Sequence, residues 1–299
     1  HVRSRRQRQM CIRDSANIIP WQMAAKKYGL NIKYIKIDDS YNLDLDHLNS
    51  LLTSKTKIVS IVGESNMSGM LPNIKDIVSN VKSKSDAIFI LDGAQLVPHR
   101  FVDVQDLGID FLCVSGHKML GPTGIGVVWG RKELWDSMDP VYGGGDMIEE
   151  VYYDKATWAP VPHKFEAGTP PFVEAIGLGV AAEYLMNITM SEVQQHSDSL
   201  REYAKSKLEN IDGLNVIHSI SKNAGCTFAM SVEGAHAADI SLMLDTYGVA
   251  VRAGHHCVQP FHRKLKLDAT FRATGYIYNN EEDFDTLAYA IENSIKMLK

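Results

Sequence analysis

The first half of the chain alternates short, continuous apolar runs with stretches whose apolar residues recur at helical spacing. Continuous apolar runs without alternation are typical of strands buried on both faces of a mostly parallel sheet. Five such runs predict strands, at residues 32–37, 58–62, 87–91, 111–114 and 125–129. Residues 45–52 and 74–81 lie between them and predict helices. This rhythm predicts an α/β architecture in which helices flank a mostly parallel sheet.

The second half of the chain has a different pattern. Residues 143–171 are rich in glycine and proline and predict an irregular loop, which is followed by predicted helices at 175–186 and 190–211. Predicted strands at 227–232 and 249–252 and helices at 237–247 and 281–298 then indicate a smaller α+β domain. With the boundary near residue 185, we expect a large domain over 16–185 and a small domain over 186–299.

Composition supports two domains and excludes several classes of protein. At about 150 residues per domain, 299 residues predict two domains. No apolar run approaches the ~18 residues of a membrane span, so we expect no membrane partner. Four cysteines without a C-x-x-C pair indicate neither a disulfide scaffold nor a zinc ribbon. A reducing compartment, by default the cytoplasm, is expected.

The first 15 residues differ in charge from the rest. Five arginines and Asp14 give them a net charge of +4, which leaves −9 for the remainder of a chain whose total is −5. An acidic body is a poor nucleic-acid binder, so we expect no nucleic-acid partner. A basic arm and a targeting tail are alternatives for these residues. We expect residues 1–15 to be a non-native or disordered leader.

Polar residues follow directly on the predicted strand at 87–91. Asp92 and Gln95 stand where ligands bind in open α/β sheets, beyond the carboxyl ends of the strands. The alternative is structural, because aspartate commonly caps a following helix.

A second polar group, Ser115-Gly116-His117-Lys118, follows the next predicted strand at 111–114. A desolvated lysine loses its proton more easily, and the neutral amine can form a Schiff base. Pyridoxal phosphate needs such a lysine together with a carboxylate at its ring nitrogen. Lys118 and Asp92, on neighbouring strands, therefore predict a pyridoxal phosphate site, although either residue alone is compatible with an ordinary surface position.

A third group, at residues 252–257, combines Arg252 with two histidines and Cys257. Cys257 lies among polar residues and predicts a reactive thiol, whereas Cys113 lies in an apolar strand and predicts a buried, inert one. A zinc site would need further ligands that no local spacing supplies, so we expect no metal. Arg272 could pair with a protein carboxylate or bind a substrate carboxylate. Asn66 and Thr169 are weaker candidates.

Taken in order, these motifs resemble the cysteine desulfurases, in the class V branch of fold-type I pyridoxal phosphate enzymes. The similarity runs from Ala16 to the C-terminus, and the form Arg-x-Gly-His-His-Cys is similar to the SufS-type subgroup. The resemblance implies conversion of L-cysteine to L-alanine, with the sulfur held on an enzyme cysteine as a persulfide for iron–sulfur cluster assembly. It also implies a homodimer and a SufE- or SufU-like sulfur acceptor.

The resemblance further implies a role for each candidate residue. Lys118 would bind the cofactor as an imine and move protons at the substrate Cα, and Cys257 would attack the substrate sulfur. The other implied roles are pairing with the ring nitrogen by Asp92, a bond to the ring hydroxyl by Gln95, phosphate binding by Ser115 and His117, phosphate binding in a partner subunit by Thr169, substrate-carboxylate binding by Asn66 and Arg272, and positioning of the cysteine loop, next to the substrate, by Arg252.

The sequence departs from this family before Ala16. Family members carry further upstream residues, with a phosphate-binding Gly-Thr turn and a ring-stacking histidine whose place is taken here by Arg13-Asp14-Ser15. Lys164 also stands where an arginine is usual. We therefore expect an N-terminally truncated member. The alternatives are a selenocysteine lyase or desulfinase of the same branch, or a truncated homologue without catalysis.

Overall fold

The computed structural model describes residues 7–11, 15–221 and 223–298, and its larger sheet has six strands in the order β2-β1-β3-β4-β5-β6. All neighbouring pairs are parallel except β5 and β6. The predicted α/β class and mostly parallel sheet are confirmed. The strands are β1 (Gln7–Cys11), β2 (Asn31–Ile35), β3 (Thr56–Val62), β4 (Ile88–Asp92), β5 (Phe111–Ser115) and β6 (Gly126–Gly130).

Helices flank this sheet because its central strands are apolar on both faces. Val59, Ile61, Phe89 and Leu91 have no exposed surface, and the helices that follow β2 and β3 begin at capping side chains. The helices up to the small domain are α1 (Ile19–Tyr28), α2 (Leu45–Leu51), α3 (Ile74–Lys84), α4 (Val104–Leu107), α5 (Lys132–Asp136) and α6 (Phe172–Ile188).

Strand β6 differs from the prediction of burial on both faces. Val127 and Val128 are about half exposed, at 48% and 53%. The strand is antiparallel and pairs with β5 alone, so it forms an edge of the sheet. An apolar run therefore predicts the strand correctly but does not distinguish a central strand from an edge strand.

The leader contributes to the sheet instead of lying apart from it. Gln7–Cys11 forms β1, which pairs in parallel with both β2 and β3. Ser15 begins a short 3-10 helix, and the rest of the leader lies outside the described residues. We expected a non-native or disordered segment. β1 is instead an ordered strand, because it pairs with β2 along one edge and with β3 along the other. A non-native origin stays a prediction.

The second sheet is antiparallel, with the order β11-β12-β10-β9, and it belongs to the predicted small α+β domain. Its apolar core is separate from that of the large sheet and includes Phe228, Phe271 and Ile291. The elements are α7 (Met190–Leu208), β9 (Leu214–Ile217), β10 (Thr227–Val232), α8 (Ala237–Asp245), β11 (Arg252–Gly254), α9 (Gln259–Leu265), β12 (Thr270–Thr274) and α10 (Glu281–Leu298). Sequence patterns missed β9, α9 and β12.

Two further features lie between the sheets. The predicted irregular loop contains a small hairpin of β7 (Ile148–Val151) and β8 (Ala156–Trp158). The predicted domain boundary at residue 185 falls inside α6, so its position stays a prediction.

In the described part of the chain no single helix has the length and apolarity of a membrane span; α6 and α7 pass that test only as a pair, bent by 76°.

Candidate active site

The carboxyl ends of β4 and β5 place the first group of candidate residues. Asp92 is the last residue of β4 and pairs in register with Cys113 of β5. Ser115 ends β5, and Lys118 follows in a short 3-10 helix, Gly116–Met119. Glycine lets the turn after Asp92 pack closely, because a Cβ at Gly93 would lie 2.6 Å from Leu112 Cδ1 and 3.2 Å from the Cys113 carbonyl oxygen. Parallel neighbours bring both strand ends to one edge, as the sequence predicted.

One cavity of about 560 Å³ collects nearly all the candidate residues. Both domains contribute to it, since Arg252, Cys257 and Arg272 come from the small domain. From the large domain it is lined by the predicted residues Asn66, Asp92, Gln95, Ser115, His117 and Lys118. The structure therefore brings the three sequence groups together at a single site.

Hydrogen bonds orient the side chains on the large-domain wall. Lys118 Nζ donates to Gln95 Oε1 at 3.3 Å, and Ser115 Oγ lies 3.0 Å from His117 Nδ1. Asp92 Oδ1 accepts from the Ala94 backbone N–H at 3.1 Å. Asp92 thus caps the turn that follows it and also faces the cavity, so the structural and the functional interpretations hold together.

The opposite wall is the loop that carries Cys257. Cys257 is exposed and follows β11, and both His256 and Cys257 have left-handed backbone conformations, with φ of 51° and 64°. Arg252 Nη2 lies 3.9 Å from Cys257 Sγ. Asn66 Nδ2 donates to the His256 carbonyl oxygen at 2.8 Å, and Arg272 Nη1 donates to the Asn66 carbonyl oxygen at 2.7 Å. These bonds join the predicted substrate-binding residues to the cysteine loop.

Cys113, Cys226 and Cys257, the three cysteines whose side chains the structure describes, are free but differ in environment. Burial, with Asp92 nearby, raises the pKa of Cys113 to about 11, and burial raises the pKa of Cys226 to about 12. Both stay protonated thiols near neutral pH. Cys113 lines the cavity and is half-buried instead of buried as predicted, because its strand ends at the cavity edge; the raised pKa agrees with the predicted inert thiol. Cys257 is the exposed thiol of the three.

Sequence reasoning missed Glu64, a carboxyl with 3% of its surface exposed. Burial raises the pKa of Glu64 to about 8, although the positive charges of Arg100 and Lys118 act in the opposite direction. Its carboxyl lies so close to Gly225 Cα that a Cβ there would clash with it. A charged residue two positions after an apolar strand was the available signal. Trp21 of α1 also lines the cavity, and no local pattern marks it.

Thr169 is the candidate that the cavity does not include. It is exposed, next to Gly168, whose backbone N–H donates to the Gly145 carbonyl oxygen at 2.9 Å. Its predicted role concerns a partner subunit, and it stays a prediction. Lys164 is buried and donates from Nζ to the Asp136 carbonyl oxygen at 3.1 Å, away from the cavity. Within the described residues, no cluster of three or more His, Cys, Asp or Glu could hold a metal ion.

The cavity has the donor set that pyridoxal phosphate requires. Asp92 and Lys118 supply the carboxylate and the amine in one cavity. Ser115 and His117 are hydrogen-bonded to each other beside them and can offer donors to a phosphate. A volume of about 560 Å³ lies in the range of small-molecule sites, roughly 300–1,000 Å³. The residues present fit this cofactor.

Comparison with known proteins gives the same assignment. The aminotransferase class-V family model matches residues 12–287. A cysteine desulfurase from Haloferax volcanii is 42% identical over 277 residues, 93% of this chain and 65% of the relative. A probable cysteine desulfurase from Halalkalibacterium halodurans is 42% identical over 279 residues, 93% of this chain and 68% of the relative.

The structural comparison extends this similarity to the whole described fold. The cysteine desulfurase CsdA from Escherichia coli superposes with a TM-score of 0.94 at 33% identity, over 99% of this chain and 73% of that chain. The chain spans about two thirds of the length of the curated relatives it matches. It belongs to the class-V aminotransferase family, and its cofactor is pyridoxal phosphate. It is similar over most of its length to cysteine desulfurases.

Proposed function

We propose that the protein is a pyridoxal phosphate-dependent cysteine desulfurase, which converts L-cysteine to L-alanine and holds the sulfur on Cys257 as a persulfide. The observation that carries the proposal is the single cavity in which Lys118, Asp92 and Cys257 meet. An amine and a carboxylate alone would suit many reactions of this family. The thiol on the facing loop supports sulfur removal among these reactions.

When bound, the cofactor spreads negative charge from the substrate Cα over its ring. Asp92 would keep the ring nitrogen protonated, and Gln95, which holds Lys118 at 3.3 Å, would orient the amine. Lys118 would remove and return protons at the substrate carbon. Ser115 and His117 would bind the phosphate.

The substrate carboxylate would bind Asn66 and Arg272, which are joined by a hydrogen bond of 2.7 Å. Cys257 would attack the substrate sulfur as a thiolate. The bond between that sulfur and the substrate Cβ breaks, an S–S bond forms, and the Cβ takes a proton. L-cysteine and one thiol thus give L-alanine and one persulfide, with atoms and electrons balanced. Arg252, 3.9 Å from Cys257 Sγ, would hold the sulfur toward the substrate.

The proposal includes a homodimer, supported by an apolar row on α6. Phe172, Ile176 and Val180 are 60%, 67% and 61% exposed and recur every four residues, so they lie on one face of the helix. Exposed apolar patches of this kind mark protein interfaces. Thr169, exposed just before this helix, would then reach the phosphate in the partner's cavity.

The finer parts of the proposal rest on the resemblance. The Arg-x-Gly-His-His-Cys form of residues 252–257 supports a SufS-type enzyme in iron–sulfur cluster assembly, with a small SufE- or SufU-like protein taking the persulfide sulfur. The exposure of Cys257 is compatible with transfer to another protein. We also propose a cytoplasmic location, which only the scattered cysteines support.

The test begins with cofactor attachment. Purified protein is incubated with pyridoxal phosphate, reduced with borohydride and mapped by mass spectrometry, and the label is expected on Lys118. Alanine release from L-cysteine is then compared between the wild type and Cys257→Ala. Absence of a label on Lys118 would favour a homologue without catalysis. Full turnover of L-cysteine by Cys257→Ala, or a preference for L-selenocysteine or cysteine sulfinate, would favour the lyase or desulfinase alternative.

A further inference from the structure

Two buried histidines, one of them in the cysteine loop itself, and a threonine form a cluster that does not line the cavity. His256, His262 and Thr270 are each at most 1% exposed. Their polar atoms are close: His256 Nε2 lies 2.9 Å and His262 Nε2 lies 3.0 Å from Thr270 Oγ1. The hydroxyl of Thr270 therefore joins the two imidazoles.

Backbone carbonyl groups fix the direction of every hydrogen bond in this cluster. His256 Nε2 also lies 3.0 Å from the Thr270 carbonyl oxygen, which only accepts, so Nε2 carries the proton. The Thr270 hydroxyl then donates to His262 Nε2. His262 Nδ1 lies 3.3 Å from the Val258 carbonyl oxygen and must donate to it. Each histidine is thus held in one tautomer, and the two tautomers are opposite.

Both imidazoles are neutral in this arrangement. Burial, with Arg272 nearby, lowers the pKa of His256 to about 3, and burial lowers the pKa of His262. His256 Nδ1 is buried and has no hydrogen-bond partner among the described residues, as expected of the bare nitrogen of a neutral ring.

The chain of bonds closes around Cys257. It begins on the side chain of residue 256, passes through Thr270 and His262, and ends on the carbonyl of residue 258. Asn66 Nδ2 holds the His256 carbonyl from the cavity side, at 2.8 Å. Cys257 lies between these fixed points in a left-handed conformation, which a residue other than glycine adopts at a cost in free energy.

We infer that His256, Thr270 and His262 form a hydrogen-bonded clasp that holds the backbone on both sides of Cys257 and so positions its sulfur at the cavity. This inference rests on the proposed function: the three residues act as positioning residues for sulfur removal. They touch neither substrate nor cofactor. The threonine hydroxyl is the essential link, since it accepts from one imidazole and donates to the other.

The tautomers give a test on the wild-type protein that needs no activity. Nitrogen-15 labelling of histidine and a long-range ¹H–¹⁵N spectrum near pH 7 report which ring nitrogen carries the proton, with His256→Gln and His262→Gln assigning the signals. The expected result is a proton on Nε2 of His256 and on Nδ1 of His262. Either histidine in the other tautomer, or charged, would overturn the clasp.

Two substitutions test what the clasp does. Thr270→Val keeps the shape and suits strand β12 but removes the hydroxyl, whereas Thr270→Ser keeps it. The Val258 amide donates to the His255 carbonyl oxygen at 2.8 Å, so its hydrogen exchange reports the loop. Loss of one hydrogen bond predicts exchange about fivefold faster in Thr270→Val and nearly unchanged in Thr270→Ser. Equal exchange in the two variants, with β10 amides unchanged, would overturn the proposal.

Activity separates this proposal from the function on which it rests. With pyridoxal phosphate and L-cysteine, Thr270→Val is expected to lower kcat about fivefold to tenfold, with KM and labelling of Lys118 unchanged and Thr270→Ser near wild type. A parallel rise of KM, or equal kcat in the two variants, would contradict a positioning role. A wild type without desulfurase activity would contradict the proposed function and leave the tautomer and exchange results to decide the clasp.

Discussion

The two walls of the cavity are built in different ways. On the large-domain wall, Asp92 and Ser115 occupy the ends of parallel strands, and the ladder of backbone hydrogen bonds fixes them. On the small-domain wall, Cys257 lies on a loop after a strand of three residues. This loop is held by the Asn66 side chain at the His256 carbonyl and by Ser15, whose backbone N–H and hydroxyl both donate to the Cys257 carbonyl oxygen at 2.7 Å. The proposed cofactor-binding groups thus lie at the ends of regular strands, whereas the proposed sulfur-accepting thiol lies on a loop that contacts between distant residues hold in place.

The largest effect is expected from the large-domain wall, at Lys118. If Lys118 has the proposed roles, Lys118→Ala removes both the covalent attachment and the proton transfer, and turnover of L-cysteine should fall by about 10²- to 10⁴-fold or more. Absorbance of the bound cofactor and borohydride labelling provide the measurements. Lys132→Ala, at an exposed lysine of α5, is the control and should behave as wild type. Retained labelling in Lys118→Ala would assign the attachment to another lysine.

On the small-domain wall, a change at Cys257 should abolish turnover without loss of the cofactor. Cys257→Ala should lose alanine formation and persulfide labelling yet still bind pyridoxal phosphate at Lys118. Cys113→Ala is the matched control, because burial and Asp92 raise the pKa of Cys113 to about 11 and leave it protonated. Alkylation at pH 7.5 should modify Cys257 before Cys113. Loss of persulfide in Cys113→Ala alone would reverse this assignment.

A smaller effect is expected at Asp92, where charge matters more than shape. Asp92→Asn keeps the size of the side chain but cannot hold the ring nitrogen protonated, so kcat should fall by about 10²-fold while the cofactor still binds. Asp92→Glu keeps the charge and should recover part of the activity. The measurement is kcat with a cofactor titration. Unchanged kcat in Asp92→Asn would leave Asp92 only its structural role as a turn cap.

A change at Glu64, which lies against Gly225 of the small domain, should affect stability instead of catalysis. Burial raises the pKa of Glu64 from 4.5 to about 8, so the folded protein keeps a proton there that the unfolded chain has lost. Below pH 4.5 Glu64 is protonated in both states and does not lower the free energy of unfolding. As the pH rises from 4.5 toward 8, the free energy of unfolding falls.

Glu64→Gln removes this titration while keeping the shape. Between pH 5 and 8 the wild type should lose roughly 3 kcal/mol of unfolding free energy relative to Glu64→Gln. Urea unfolding of both proteins at the two pH values measures the difference. Parallel pH profiles would show that Glu64 is ionised in the folded protein.

Much of the candidate site could be predicted from the sequence, because polar residues directly after apolar runs mark the ends of strands. Residues such as Asp92 and Ser115 follow apolar runs, and parallel strands bring such ends to one edge. Thr227–Val232 and Glu281–Leu298 agree with the predicted ranges, since their patterns are long and unambiguous. Strands β9 and β12 were missed because short antiparallel strands with mixed polarity resemble loops.

Other features could not be read from the sequence because they depend on contacts between distant residues. Glu64 has its shifted pKa because the small domain covers it at Gly225. The ordered leader strand β1 depends on the gap between β2 and β3. Exposure of β6 follows from its place at the edge of the sheet.

The sequence by itself determined the α/β class, the order of the motifs and the chemical types of the reactive groups, because apolar periodicity and short motifs are local properties. Only the tertiary structure decided that these groups share one cavity and how the thiol is held. Asn66 and the His256 carbonyl meet across 190 residues. The tautomers around Thr270 are likewise set by carbonyl groups brought close in the folded chain, and no local pattern encodes such distances.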